Sequence, residues 1–265
     1  MLPSFRNLIN GFGMNLAVMA PSTNTSQQYN HNFFADQFAA SSRSAAIIVP
    51  LVTRLLNPGT VIDVGCGIGC WAAQFLENGA RVTGVDGNWV DPAMLEIPAA
   101  SFVPHDLRAE LRLEQTFDLA VCIEVGEHLP ESRASSLIDD LVRLAPCVLF
   151  SAAVPGQGGA DHINEQPLSY WVRRFEECGY QPVDYLRPII WNDEGIAWWF
   201  RQNVVLFCKP GHPVLSKGNR QTLDLYHPNF VSSLRQRASQ PGLRICLKAL
   251  PAAILRAVKA RLRFS

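Results

Sequence analysis

The sequence has little charge and no excess of either sign. Charged residues make up 17% of its 265 residues, and 23 Lys and Arg balance 23 Asp and Glu, which leaves a formal net charge of zero. Such a chain has no overall field that would draw it onto a polyanion, which argues against nucleic acid as a partner. It also lacks the run of roughly 18 apolar residues that a membrane-spanning helix needs. Because hydrophobic residues nevertheless reach 48%, we expect one large folded domain.

The seven cysteines show no Cys-x-x-Cys spacing, which argues against a zinc site or a dithiol redox centre. Most of them lie inside apolar runs, as Cys122 and Cys147 do. There we expect them to act as small buried hydrophobic side chains, which is typical of a reducing compartment. The sequence therefore predicts a cytoplasmic protein.

Three segments differ in composition. Residues 1–32 are rich in Ser, Thr, Asn and Gln without periodicity, which predicts a flexible N-terminal leader. Residues 33–208 alternate between short apolar runs and helical patterns, and we expect them to form the main domain. Residues 209–265 form a C-terminal extension, in which residues 243–264 carry six basic side chains and no acid. This basic amphipathic segment has two interpretations: a helix that covers the domain, or a helix that contacts a membrane surface or a partner.

The main domain shows the pattern of βαβ units. Helices are predicted over residues 44–56, 71–78 and 132–144. Strands are predicted over residues 60–64, 81–85, 101–103, 117–123, 147–151, 182–189 and 203–208. This alternation indicates an α/β fold with a mainly parallel sheet. Ligands of such folds bind at the carboxyl ends of the strands.

The first predicted strand leads into a loop with three glycines, Gly65, Gly67 and Gly69. Residues without a Cβ allow a ligand to approach the backbone closely. A dinucleotide fingerprint would require glycine where Cys70 stands. Asp63, just before the loop, would repel a pyrophosphate but attract a ligand that carries an ammonium and a sulfonium. The loop therefore favours S-adenosylmethionine over a nicotinamide dinucleotide.

Two further acids follow predicted strands. Asp86 ends the second strand, where a carboxylate can accept hydrogen bonds from both hydroxyls of a ribose. Its other interpretation is a turn-forming Asp-Gly pair. Asp106 follows the third strand, where it could accept the amino group of adenine. Both positions are consistent with a nucleoside ligand.

The loop at Val61–Cys70, the two acids Asp86 and Asp106, and the segment Phe117–Glu124 follow one another in the order of the motifs of class I S-adenosylmethionine-dependent methyltransferases. The chain resembles that family over about residues 33–208. The resemblance implies a Rossmann-like, doubly wound, mainly parallel seven-stranded sheet with the last strand antiparallel. It also implies S-adenosylmethionine as cofactor, with eight predicted contact residues: Asp63, Gly65, Cys66, Gly67, Gly69, Asp86, Asp106 and Glu124.

The fourth strand runs into Glu124-Val-Gly-Glu127-His128. In one interpretation Glu124 packs near the methionine part of the cofactor, while Glu127 and His128 open the next helix. In the other, the Glu-x-x-Glu-His element resembles the metal-binding element of ubiquinone-pathway O-methyltransferases and of methyltransferases that cap small-RNA 3′ ends. That resemblance implies a divalent ion held by Glu124, Glu127, His128 and His162, for which oxygen-rich ligation suits Mg²⁺ or Mn²⁺.

Without a metal, His162 or His128 is the natural general base for an attacking alcohol, because imidazole titrates near neutral pH. His162 also has a simpler interpretation as an ordinary loop residue. Gly156, Gly158 and Gly159, just before it, make this loop a candidate lid.

Two features of the sequence bear on the identity of the methyl acceptor. Residues 162–180 resemble uncharacterised bacterial methyltransferases of the small-molecule type, often linked to sugar or surface-polysaccharide synthesis. Four aromatic residues between the last two strands either line an acceptor pocket or simply pack: Trp191, Trp198, Trp199 and Phe200. We predict methyl transfer to a hydroxyl of a small molecule or glycan precursor. The alternative is a methyltransferase-like binding or scaffold protein without turnover.

Overall fold

A computed structural model describes residues 24–218 and 224–239 of the chain, with side chains from residue 39 onward. The chain divides into two compact units, residues 1–38 and residues 39–265. The sheet and the site described below belong to the second unit. Most of the predicted leader and the whole basic segment at 243–264 lie outside the described residues.

The described residues contain one seven-stranded sheet, in the order β3-β2-β1-β4-β5-β7-β6. The strands are β1 Thr60–Val64, β2 Arg81–Asp86, β3 Phe102–Pro104, β4 Leu119–Ile123, β5 Cys147–Ser151, β6 Gln181–Val183 and β7 Val205–Cys208. The first five pair in parallel, whereas β7 runs antiparallel to both of its neighbours, β5 and β6. The predicted fold class is therefore confirmed, including the antiparallel last strand.

The helices are α1 Asn24–Leu56, α2 Cys70–Glu77, α3 Ala134–Leu144, α4 Leu168–Glu177, α5 Leu186–Ile190, α6 Trp198–Asn203 and α7 Pro228–Ser239. The predicted helices at 71–78 and 132–144 are confirmed as α2 and α3. The helix predicted from residue 44 instead begins at Asn24 and includes the end of the predicted leader. Polar residues such as Gln27 and Gln28 show no apolar periodicity yet are good helix formers, and so the hydrophobic pattern misses this part.

The apolar run predicted as one strand over 182–189 divides in two, and its second half forms α5. The prediction of a single strand is wrong because two features favour a helix here. Pro188 cannot donate a ladder hydrogen bond. Leu186 and Ile190 are buried at the i, i+4 spacing of one helix face.

Part of α1, Ala39–Leu56, is long and apolar enough to cross a membrane, judged by length and composition alone. Four of its residues are fully buried within the protein: Ala45, Ile48, Val49 and Val52. One side of this segment therefore contributes to the core, as the apolar face of a core helix does.

Helix α4 packs on one face of the sheet through two aromatic residues, Trp171 and Phe175. Both rings contact Phe150 of β5, and Phe175 stacks on Phe207 of β7 with the ring centroids 3.9 Å apart. The i, i+4 spacing of Trp171 and Phe175 predicts this packing, and the structure confirms it.

The cysteines differ from the prediction at one pair. Cys147 and Cys208 lie opposite each other on the antiparallel strands β5 and β7 and form a disulfide. Cys66, Cys70 and Cys122 are buried free thiols, as expected. The disulfide removes the cysteine argument for a reducing compartment, and the cytoplasmic location stays a prediction.

Candidate active site

The loop between β1 and α2 depends on its glycines. Gly65, Gly67 and Gly69 have φ angles of 82°, 56° and 94°, a region that other residues rarely adopt. A Cβ on Gly67 would meet no atom within 4 Å, whereas a Cβ on Gly65 would overlap the buried side chain of Val125. The loop is therefore held closely against the residues after β4, and Gly67 faces open space.

The conformation of Gly65 predicts the effect of replacing it. Gly65→Ala should destabilise the fold by about 2–4 kcal/mol, because the new Cβ adds both backbone strain and overlap with Val125. The matched control is Gly79→Ala, since Gly79 has a φ of 93° but no atom within 4 Å of its Cβ position. Backbone strain alone should cost this control about 1 kcal/mol. Urea denaturation measures both variants, and equal losses would show that the contact with Val125 contributes nothing.

A cavity of about 380 Å³ opens at the carboxyl ends of β1, β2 and β4. This volume is within the usual range for small-ligand sites, about 300–1,000 Å³. Five of the eight predicted cofactor residues line the cavity: Gly65, Gly67, Asp86, Asp106 and Glu124. Among the described residues, three predicted contacts are not on its wall: Asp63, Cys66 and Gly69.

Asp86 joins the end of β2 to the glycine loop. Its Oδ2 accepts a hydrogen bond from the Gly67 amide at 2.8 Å, and its Oδ1 accepts one from the Gly87 amide at 2.6 Å. The carboxylate borders the cavity and is fixed by these two amides. The position of the Asp86 carboxylate suits an acceptor for the two hydroxyls of a ribose, as the sequence predicts.

Asp106 lies on the cavity wall but is paired with Arg108. The Arg108 side chain donates to both carboxylate oxygens, from Nε to Oδ1 at 3.0 Å and from Nη2 to Oδ2 at 2.5 Å. This hydrogen bonding lowers the pKa of Asp106 to about 2. The carboxylate is therefore ionised at neutral pH. An adenine amino group that bound to it would share the carboxylate with Arg108, and the sequence argument did not predict this ion pair.

Asp63 and Cys66 lie behind the loop. Asp63 is only 3% exposed, and burial raises its pKa to about 7, although the backbone of Ala72 at the start of α2 lowers it. The Cys66 thiol packs against Gly84 of β2, and burial raises its pKa as well. In the structure, both side chains support the loop from within the protein.

The chain after β4 follows an unusual path. Glu124 has a positive φ of 54°, and Gly126–His128 form a short 3₁₀ turn. Glu127 and His128 do not open α3, which begins at Ala134, so that part of the first interpretation is wrong. A non-glycine residue with positive φ is often found at functional sites, where the surrounding structure holds it in place.

The 3₁₀ turn brings together Glu127, His128 and His162. One ligand atom from each lies within 4.8 Å of the others, and the two imidazole rings meet edge to face with centroids 4.9 Å apart. The Glu127 side chain has no exposed area, and among the described residues neither of its carboxylate oxygens makes a hydrogen bond of standard geometry, although the backbone of Ala153 and the carboxyl of Glu124 lie close to it. Burial and the nearby Glu124 raise the pKa of Glu127 well above its usual value. Because an unpaired buried carboxyl is costly and a cation would satisfy it, these residues fit a divalent ion.

Glu124 is held beside this cluster by two side-chain amides. Its Oε2 accepts a hydrogen bond from Gln157 at 2.8 Å, and its Oε1 accepts one from Asn203 at 3.4 Å. Burial raises the pKa of Glu124, and these hydrogen bonds oppose that shift. Glu124 borders the cavity but is not part of the three-residue cluster.

The loop that carries His162 has an anchor that the sequence argument missed. The Nδ1 atom of His162 lies 3.0 Å from Oε1 of Glu165. The same carboxylate accepts hydrogen bonds from the amides of Gly156 at 2.7 Å and Gly158 at 2.6 Å. Arg237 of α7 donates to the Gly156 carbonyl at 2.5 Å. The spacing of His162 and Glu165 could have predicted this contact, since a carboxylate three residues away can orient an imidazole.

The four aromatic residues between β6 and β7 mostly pack within the protein. Phe200 is buried against Trp71, Trp198 contacts Phe230 of α7, and Trp191 contacts His227. Among the described residues, none of the four lines the cavity. The contacts therefore support the packing interpretation.

Comparison with known proteins shows the family to which this chain belongs. The profile of a family described as "Methyltransferase domain" matches residues 29–202, about two thirds of the chain. The chain belongs to this family, the class I S-adenosylmethionine-dependent methyltransferases.

Similar curated proteins carry the name ubiquinone biosynthesis O-methyltransferase. The one from Pseudomonas fluorescens strain Pf0-1 is 30% identical over 124 residues, which cover 42% of this chain and 47% of that protein. The one from Xylella fastidiosa strain 9a5c is 24% identical over 158 residues, with shares of 55% and 60%. The chain thus spans about half the length of the curated relatives it matches. Among solved structures, magnesium protoporphyrin IX methyltransferase from Synechocystis PCC 6803 with bound SAM is 18% identical, with a TM-score of 0.45, over 72% of this chain and 86% of that one.

Proposed function

We propose that this protein transfers the methyl group of S-adenosylmethionine to a hydroxyl of a small-molecule acceptor, assisted by a divalent ion. The observation that carries the proposal is Glu127, a fully buried carboxyl that lies beside the imidazoles of His128 and His162. Of these three residues, His128 lines the cofactor cavity. The relatives named O-methyltransferases support a hydroxyl as the acceptor group. A glycan precursor is one such acceptor.

Each predicted cofactor residue would contact a different part of S-adenosylmethionine. Asp86 would accept hydrogen bonds from the ribose hydroxyls, and Asp106 would accept one from the adenine amino group. Glu124, at the same wall, would lie near the methionine part, where a carboxylate attracts an ammonium. When bound, S-adenosylmethionine supplies a methyl group on an already activated sulfonium. Residues of this chain then mainly have to align the acceptor.

The ion site would consist of Glu127, His128 and His162. Carboxylate and imidazole ligands with room for acceptor oxygens suit Mg²⁺ or Mn²⁺. An ion bound there would lower the pKa of an acceptor hydroxyl. Partial loss of solvent around the ring and the neighbouring His162 lower the pKa of His128, which favours the neutral imidazole that can bind a cation. The same neutral ring could act as a general base if no ion is used.

The test uses the full chain with isotopically labelled S-adenosylmethionine and a panel of catechols, polyols and sugars. Each reaction is run with Mg²⁺, with Mn²⁺ and with EDTA, and products are identified by mass. Labelled ether products that disappear in EDTA would support the proposal. Full activity in EDTA would overturn the role of the ion, and a dissociation constant for S-adenosylmethionine above about 1 mM would overturn the proposed reaction.

Glu165 is a positioning residue in this scheme, because it contacts His162 and is not one of the three residues that would hold the ion. Glu165→Gln should weaken Mn²⁺ binding about 10- to 100-fold, since an amide cannot accept from Gly156, Gly158 and the imidazole together. Electron paramagnetic resonance of free Mn²⁺ measures the affinity. Glu177→Gln, on the exposed side of α4, is the matched control and should change nothing. Unchanged Mn²⁺ affinity in Glu165→Gln would show that His162 needs no such support.

A further inference from the structure

The cysteine pair Cys147 and Cys208 lies at the end of the sheet opposite the cofactor cavity. Cys147 is the first residue of β5 and Cys208 is the last residue of β7, and the antiparallel register places them opposite each other. The cavity lies at the carboxyl ends of strands that include β4, and β5 runs parallel to β4. Because Cys147 stands at the amino end of β5, the pair is separated from the proposed methyl-transfer site by the length of this strand.

A histidine joins the two cysteines at this end of the sheet. After β7 the chain turns at Gly211, which has a φ of 82°, and the amide of His212 donates to the Lys209 carbonyl at 3.2 Å. This turn places one ligand atom of His212 and the two sulfur atoms within 4.8 Å of one another. Both cysteines are fully buried, whereas His212 is half-buried. Solvent therefore reaches this set of three residues at the imidazole.

Two sulfur atoms and one imidazole form a ligand set for a thiophilic ion. Thiolates and neutral imidazole are the ligands that Zn²⁺ prefers, and three protein ligands leave one position of its tetrahedron for water. The set contains no carboxylate, so it does not suit Mg²⁺ or Mn²⁺. The absence of Cys-x-x-Cys spacing does not exclude such a site here, because the pairing of β5 with β7 brings together cysteines that are 61 residues apart.

We propose that Cys147, Cys208 and His212 form a second metal site, which binds a thiophilic ion such as Zn²⁺ when the disulfide between the two cysteines is reduced. A dithiol supplies the two electrons and two protons: it becomes a disulfide itself, and the protein S–S bond is replaced by two S–H groups. The incoming ion then displaces both protons, because thiolates are its ligands. The imidazole exchanges a long hydrogen bond, accepted at Nδ1 from the Val214 amide at 3.3 Å, for the bond to the ion. The inference is independent of the proposed function, because the two sites share no residue.

The test compares the reduced protein with the oxidised protein. The full chain is reduced with a dithiol, separated from it without air, and titrated with Co²⁺, whose charge-transfer absorption reports thiolate ligands. The carboxylate and imidazoles around Glu127 cannot give this absorption. The oxidised protein is the matched control, because it retains the other thiols and lacks only this pair. We expect the absorption in the reduced protein alone, and its loss when one equivalent of Zn²⁺ is added. A reduced protein without the absorption, folded or not, would overturn the inference.

Two variants assign the ligands. His212→Asn keeps a side-chain acceptor for the Val214 amide but removes the imidazole. The affinity of the reduced protein for Zn²⁺ should fall at least about tenfold, since even the loss of an outer partner of a metal site costs 10- to 100-fold. Cys208→Ser should remove the thiolate absorption. Cys178→Ser is the matched control, because Cys178 is a half-buried free thiol outside the set, and it should bind Zn²⁺ as wild type does. Unchanged affinity in His212→Asn, or unchanged absorption in Cys208→Ser, would contradict the assignment.

Thermal stability gives an independent measurement. Zn²⁺ that binds only the folded, reduced protein should raise its Tm, and the rise should grow with the Zn²⁺ concentration. The oxidised protein should show no such rise, because its sulfur atoms are bonded to each other. An equal rise in the oxidised protein would place the bound Zn²⁺ outside the cysteine pair and would overturn the inference, while the proposed methyl transfer would stand.

Discussion

Glu127→Gln is expected to remove divalent ion binding and to slow methyl transfer by at least about a hundredfold. The substitution keeps the size of the side chain and removes its ability to become an anion. In wild type, a cation beside His128 and His162 would neutralise the buried carboxylate, which makes no hydrogen bond of standard geometry among the described residues. Glutamine cannot neutralise a divalent ion, so the site should lose its central ligand. Manganese binding and methyl transfer by the purified variant test this directly.

The controls for Glu127→Gln distinguish an ion ligand from a merely structural residue. Glu131→Gln alters an exposed acid four residues later and should leave Mn²⁺ affinity and rate unchanged. Glu127→Gln should bind S-adenosylhomocysteine as tightly as wild type, because Glu127 does not line the cofactor cavity in the described residues. EDTA should reduce the wild-type rate to that of the variant and should not slow the variant further. A variant that remains active and is still inhibited by EDTA would place the ion elsewhere.

The parts of the fold that were predictable depend on local sequence. The strand from Thr60 to Val64 and the glycines after it lie within one short segment, so composition and spacing are sufficient to predict the turn. Asp86 and Asp106 were found by the same logic, because each follows a strand at the common carboxyl edge of the sheet. Both acids do line the cavity.

The parts that were missed depend on contacts between distant segments. The partner of Cys208 is Cys147, 61 residues earlier, and only the pairing of β5 with β7 brings them together. The carboxylate of Glu165 acts through amides of a loop whose path the sequence does not specify.

Asp63 shows that the direction of a side chain is harder to predict from the sequence than its position at the end of a strand. Its position at the end of an apolar strand suggested direct contact with the cofactor, since strand-end acids lie near the ligand edge. The structure instead places it 3% exposed behind the glycine loop, near the start of α2. The direction in which a strand-end side chain points depends on the alternation of the strand and on what packs behind it. Sequence position alone predicts that such an acid lies at the carboxyl edge of the sheet, but it does not predict in which direction the side chain points.

Asp86→Ala is expected to weaken binding of S-adenosylhomocysteine by at least about a hundredfold. A carboxylate that accepts from both ribose hydroxyls makes two charge-assisted hydrogen bonds, each contributing about 1.5–3 kcal/mol. The same carboxylate also accepts from the amides of Gly67 and Gly87, so its removal would free the loop as well. Calorimetry with the nucleoside alone separates the two effects. Wild type should bind adenosine much more tightly than 2′,3′-dideoxyadenosine, whereas Asp86→Ala should bind both equally.

The matched control for this experiment is Asp91→Ala. Asp91 is an exposed acid in the same connection, accepts a hydrogen bond from the Ala93 amide at 2.9 Å, and is not on the cavity wall. It should retain the wild-type preference for adenosine, because only a local turn is lost. If Asp86→Ala also retained that preference while binding both ligands more weakly, Asp86 would act on the loop and not on the ribose. The ribose hydroxyls would then need another acceptor at the same wall, and Glu124 is the remaining carboxylate there that is not paired with an arginine.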